Sequence, residues 1–207
     1  IGQAYKNCSS IIATSIALKD AISSQFSSYN NKLCIIPNPV NENIFSLKPQ
    51  KGIKNSITII CVALFRSEKR IDIIISAIYN LIKNGTNLTL KIIGDGPLRL
   101  VIEKQIKSLG IIDNVQLLGY MNQSKIVREL HLSDLFVLSS EIETFGIALI
   151  EAQMCGLPAV CTDCGGPRDI ITQETGILVE PQSIKSLTDG IKKTIYIIFW
   201  HSNSKLT

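Results

Sequence analysis

From residue 57 onward the chain alternates short apolar runs with longer stretches whose apolar residues recur at helical spacing. The runs predict strands at 57–62, 88–93, 115–118, 135–138, 158–162 and 176–179, with helices at 71–83, 98–109, 123–131, 145–154, 167–171 and 183–194 between and after them. Strand and helix in regular alternation imply βα units feeding a parallel sheet, an α/β protein. Ligands of such sheets gather at the carboxyl ends of the strands, which directs attention to the loops at 63–70, 94–97, 119–122, 139–144 and 163–168. Before residue 57 the register is less clean: a strand at 9–15, a helix at 16–26 and a strand at 33–36 precede Asn38-Pro39. The polar, Lys-rich stretch 46–56 reads as a linker between a remnant domain, 1–45, and a complete one, 57–194, with an atypical tail at 195–207.

Composition narrows the function classes. The 207 residues suffice for one good core or one domain plus part of another, and the opening residues read as the middle of a fold, so a piece of a longer protein is expected. A formal charge of +4, with Lys and Arg dispersed, gives no nucleic-acid signature. The apolar run 195–200 is far too short to span a bilayer. Cys8, Cys34, Cys61 and Cys155 are single residues in or beside apolar runs, where a thiol behaves as a small hydrophobe. Cys161 and Cys164 form one C-x-x-C, but there is no second pair and His131 and His201 are the only histidines, too few ligands for a structural zinc site. Reduced cysteines of this kind suggest a cytoplasmic setting.

The candidate chemistry centres on residues 139–156, SSEIETFGIALIEAQMCG, in which Glu143 falls at a strand-to-helix turn and Glu151 further into the helix. Eight helical residues would separate them by roughly 12 Å along the axis. That exceeds the roughly 5 to 9.5 Å between the carboxyl groups of a glycosidase and disfavours hydrolysis. An anion at the helix start, held by free N–H groups near Phe145, Gly146 and Ile147, would lie between the two carboxylates. Read singly, Glu143 is also a favourable N-terminal charge and Glu151 a solvated helix residue. Gly94-Asp95-Gly96-Pro97 lacks the spacing of a dinucleotide fingerprint and reads as a tight turn. Gly165-Gly166 is a turn at which backbone can be approached closely, and Lys69-Arg70 supplies cations at a strand end.

In order along the chain, KIIGDGP, NVQLLGYM, LSSEIETFGIALIEAQMCGLPAVCTDCGGPRDII and ETGILVEP resemble the nucleotide-binding domain of retaining glycosyltransferases of the group-1, or family-four, type. Asn38-Pro39-Val40 with Phe45 is similar to that family's hinge-side motif. The resemblance implies one half of a GT-B fold: a Rossmann-like parallel sheet with helices on both faces. It implies donor-sugar contact for Glu143, ribose binding for Glu151, and diphosphate binding at the amides of Phe145, Gly146 and Ile147. It further implies stabilisation of the leaving diphosphate by Lys69, base contacts by Tyr120 and Met121, and donor-side turns at Gly94, Gly165 and Gly166. No cofactor or essential metal is implied. The partners implied are a UDP- or GDP-sugar such as GDP-mannose and, through the rest of the protein, a glycan or lipid-linked acceptor, as in polysaccharide biosynthesis at the inner face of a membrane. The family's usual arginine five residues before the lysine is Leu64 here, and Arg66 is expected to replace it. The glycine-rich loop and the histidine of the acceptor-side domain are not in these residues, so the fragment alone is expected to bind donor nucleotide weakly at best and to transfer nothing. Two other readings stay open: a non-catalytic or decayed nucleotide-sugar-binding fragment, and another GT-B enzyme such as a nucleotide-sugar epimerase. A phosphorylase would show a lysine for pyridoxal phosphate, which no segment suggests.

Overall fold

The computed structural model describes residues 2–47 and 56–203. Most of the expected linker, residues 48–55, and the last four residues of the tail lie outside them. The first unit comprises α1 (Gly2–Asn7), β1 (Ile11–Ala13), α2 (Ile16–Gln25) and β2 (Leu33–Ile35), and its two strands pair in parallel. Lys32 Nζ donates to the carbonyls of Tyr5, Lys6 and Cys8, a cation closing the C-terminus of α1 where the helix dipole is negative.

The larger unit follows as β3 (Ile57–Val62), α3 (Ile71–Lys83), β4 (Leu88–Ile93), α4 (Arg99–Ser108), β5 (Val115–Gly119), α5 (Gln123–His131), β6 (Leu135–Leu138), α6 (Ile147–Met154), β7 (Ala159–Thr162), α7 (Gly166–Ile170), β8 (Gly176–Val179) and α8 (Ile184–Asn203). All its strands are parallel, in the order β5-β4-β3-β6-β7-β8. The chain winds outward from β3 in one direction, returns, and winds from β6 in the other. Every residue of β6 and β7 is buried, as expected of strands covered on both faces, and this is why LFVL and AVCT read as unbroken apolar runs.

Two cores flank the sheet. On one side α3, α4 and α8 contribute Ile74, Ile78, Ile102, Ile106, Leu187 and Ile191. On the other, Leu130 of α5 and Leu149 and Ala152 of α6 meet Ile60, Phe136 and Leu138. Phe45 is buried in this second core, with Val40 and Ile44 packed against it, so the larger unit draws on the segment before the linker. Helix α8 runs on to Asn203 because Ile195 and Ile198 keep the helical period and lie against the first core. Much of the expected tail thus continues the helix predicted to end at residue 194. Among the described residues no helix is long and apolar enough to cross a membrane.

The two units meet at the N-terminus of α2. Ser15 Oγ donates to the Thr144 carbonyl (2.6 Å), and Asp169 Oδ2 accepts from the amides of Ile16 (2.6 Å) and Ala17 (3.3 Å). A carboxylate from α7 thereby supplements the cap that Ser15 gives Leu18 N.

Phe136 is fully buried at the centre of the second core. Phe136→Ala is expected to cost about 3–5 kcal/mol, measurable as a lower urea midpoint with little change in m-value.

Candidate functional site

The reversal of winding between β3 and β6 leaves a crevice at their carboxyl ends, since the loops after these strands leave in opposite directions. There a cavity of about 480 Å³ opens, lined by Val62, Ala63 and Leu64 after β3, Ile93 and Gly94 after β4, Tyr120 and Met121 after β5, and the loop from Glu143 into α6. Asn38 of the hinge-side motif closes it from the first unit. The volume is that of a small-molecule site.

Lys69 and Glu143 meet at one part of this wall. Lys69 Nζ lies 2.6 Å from Glu143 Oε2, with the side chains 19% and 15% exposed. The backbone of each is fixed by buried partners. Ser139 Oγ, with no exposure, donates to the carbonyls of Lys69 (2.8 Å) and Arg70 (2.7 Å). Glu143 N donates to the Cys164 carbonyl and Glu143 O accepts from Gly166 N (2.7 Å), so the loop runs as a short parallel bridge beside Gly165. A Cβ at Gly166 would lie 2.1 Å from the Phe145 carbonyl oxygen and one at Gly165 2.7 Å from the Glu143 carbonyl oxygen. These glycines do not line the cavity; they let the backbone of 165–166 press against the Glu143 loop and hold it in place.

Helix α6 starts at Ile147, two residues later than its apolar period suggests, because Gly146 turns the chain into the helix from the left-handed region (φ 103°). In its first turn the amides of Ile147 and Ala148 have no acceptor within the helix, and both residues line the cavity. Glu151, one turn further on, faces the same space and is half-buried; desolvation raises its pKa above the usual carboxylate value. Glu143 precedes the helix, so the expected separation of the glutamates along a single helical axis does not apply: the loop and the helix deliver them to one cavity by different routes.

Of the residues selected from sequence, Glu143, Lys69, Glu151, Phe145, Gly146, Ile147, Tyr120, Met121 and Gly94 line the cavity. Arg66 does not. It is exposed and lines a separate cavity of about 350 Å³ with Ile71 and Ile102, members of the core on the other side of the sheet. Leu64, at the position of the family's arginine, does reach the larger cavity, so the fold does not bring Arg66 there as a substitute. Sequence reasoning missed Thr144 as a lining residue and Ser139 as the anchor of the Lys69 turn; its signal was only a serine at the end of an apolar run. Burial pushes the Cys61 thiol up to about 12 and raises Cys161 and Cys164 above the usual thiol value, which makes them poor nucleophiles. Among the described residues no three His, Cys, Asp or Glu side chains are grouped to hold a metal ion.

A parallel sheet covered by helices on both faces, with its cavity at the switch point, is the fold of one half of a GT-B glycosyltransferase. The structure of HepE from Anabaena in complex with UDP and glucose superposes with a TM-score of 0.81 at 24% identity, over 93% of this chain and 55% of that one. The family model described as glycosyl transferases group 1 matches residues 43–196, and the chain belongs to that family. It is 33% identical over 162 residues to a component of the phosphatidylinositol N-acetylglucosaminyltransferase of Homo sapiens, covering 78% of this chain and 33% of that protein. It is 30% identical over 166 residues to 2-deoxystreptamine N-acetyl-D-glucosaminyltransferase of Niallia circulans, covering 78% of this chain and 43% of that one. The chain thus spans less than half the length of these two curated relatives.

The raised pKa of Glu151 fixes a pH dependence of stability. Below the unfolded value both states hold the proton and there is no charge-burial penalty; as pH rises through it the unfolded chain ionises first, and stability falls until the folded group ionises too. Glu151→Gln is therefore expected to raise the thermal midpoint relative to the parent at pH 7 and to have little effect near pH ~4. An equal difference at both pH values would contradict this assignment.

Proposed function

We propose that the cavity binds a nucleoside-diphosphate sugar and that the chain is the donor-binding part of a retaining glycosyltransferase. One observation carries the reading: a single cavity gathers a lysine, the unsatisfied amides at the start of α6, and a half-buried carboxylate one turn further on. Each matches one part of the ligand. The amides of Ile147 and Ala148, at the positive end of the helix, suit a diphosphate. Glu151, oriented from α6, suits the paired hydroxyls of a ribose as an acceptor, and Tyr120 with Met121 supplies the wall against a base. Glu143, on the same wall, is assigned to the donor sugar on this reading.

Lys69 provides the charge that a leaving diphosphate requires as the glycosidic bond breaks. A cation and helix amides beside the leaving group stabilise the developing negative charge without a metal ion. Retention of configuration is part of the proposal by family resemblance, as is transfer to a hydroxyl of a glycan or lipid-linked acceptor held by the remainder of the protein. The two curated relatives are both named for N-acetylglucosaminyl transfer, and the Anabaena protein carries UDP, so UDP-N-acetylglucosamine is the first donor to test.

Isothermal titration of this chain with UDP is expected to show one binding site. Glu151→Gln should weaken UDP and uridine alike by about tenfold, the worth of a hydrogen bond to a charged acceptor. UDP affinity unchanged by Glu151→Gln, or no UDP binding by the parent chain, would overturn the assignment of this cavity.

A further inference from the structure

The Lys69–Glu143 contact poses an electrostatic problem for the proposed ligand. The 2.6 Å pair is mostly shielded from water, which makes it stronger than a surface ion pair, and both partners line the cavity. A diphosphate at the start of α6 would share this space with the Glu143 carboxylate, an anion facing an anion with one lysine between them. Neither backbone is free to retreat. Lys69 is tied through its carbonyl to Ser139 Oγ and through its amide to the Arg66 carbonyl, and Glu143 is tied on both sides to Cys164 and Gly166. Any accommodation must come from the side chains.

We infer that Glu143 serves as the counter-ion of Lys69 until a donor arrives and that the donor's diphosphate displaces it, so that the two side chains exchange partners when the nucleotide enters. This rests on the reading of the cavity as a nucleoside-diphosphate site. The diphosphate carries more charge than a carboxylate and also engages the amides of Ile147 and Ala148, so it competes for Lys69 with contacts that Glu143 lacks. Once released, Glu143 regains its accepting oxygens for sugar hydroxyls. Glu143 is therefore a specificity-determining residue for phosphate charge: a nucleoside without the diphosphate has nothing to offer Lys69, leaves the pair closed and keeps Glu143 away from the sugar. No proton or covalent bond changes hands.

Removing a side chain from the site should then strengthen binding. In titrations of the 207-residue chain, Glu143→Gln is expected to tighten UDP binding by about three- to tenfold and to leave uridine within about twofold, because only the diphosphate has to open the pair. In a Lys69→Met background the gain should disappear. UDP affinity that is unchanged or weaker in Glu143→Gln would overturn the exchange. So would an equal gain in the Lys69→Met background, which would mark a general effect of removing a negative charge. Thermal unfolding verifies that each variant is folded, and Glu143→Ala replaces Glu143→Gln with the same expectations should the latter not fold. If the parent chain binds UDP and Glu151→Gln weakens it while these coupling results fail, the exchange alone is wrong. If the parent binds neither UDP nor uridine, the reading of the cavity falls and the exchange with it.

Discussion

The parallel pairing of β3 with β6 is the constraint on which the rest of the structure depends. The two strands are neighbours in the sheet although β4 and β5 lie between them in sequence, and Ile59 and Ile60 of β3 register against Leu135 and Phe136. Asp134 fixes the start of that register from both ends of one residue: its carboxylate accepts from Thr58 N (2.9 Å) and its amide donates to Thr58 O (2.8 Å). Because winding reverses at this pair, the Lys69 turn leaves toward one side and the Glu143 loop toward the other, and their ends come back together above the strands. A sheet of the same strands without the reversal would have no crevice at that place.

Within the crevice, small close-range contacts convert backbone position into chemistry. Ser139 sets where the Lys69 turn stops, and the glycines at 165–166 let a neighbouring segment press flat against the Glu143 loop. Gly146 then turns the chain into α6, whose first residues, Ile147 and Ala148, line the cavity. The charge arrangement that results is balanced locally by the Lys69–Glu143 pair and left unbalanced at Glu151, whose partial burial works against its own ionisation. This partly buried carboxylate in a cavity of ligand size is the one that the proposed donor site assigns to the ribose.

Much of this is legible in the sequence, for identifiable reasons. Strands β3, β4, β6 and β8 fall at the expected residues because strands in a doubly covered parallel sheet are predominantly apolar, and α3 follows its isoleucine period from end to end. The apolar period alone starts α6 two residues early because it continues through Phe145, whereas the conformation of Gly146 decides the matter. The end of α8 escapes a reading by family pattern because its composition departs from that pattern while its period does not. Pairings between distant residues leave no spacing to read. The meeting of Lys69 with Glu143 across 74 positions, and the outward course of Arg66, depend on strand order and on which side of the sheet a loop leaves. Gly165 and Gly166 are sites of close approach, as their sequence suggests, but what approaches is the chain's own backbone.

The crevice between β3 and β6 as a nucleoside-diphosphate site is the central claim, and a crystal structure of the chain with UDP bound tests it most directly. The diphosphate is predicted to lie against the amides of Ile147 and Ala148 within reach of Lys69, with the ribose beside Glu151. UDP seated anywhere else on the chain, or bound in this cavity with its phosphates turned away from the start of α6, would contradict it.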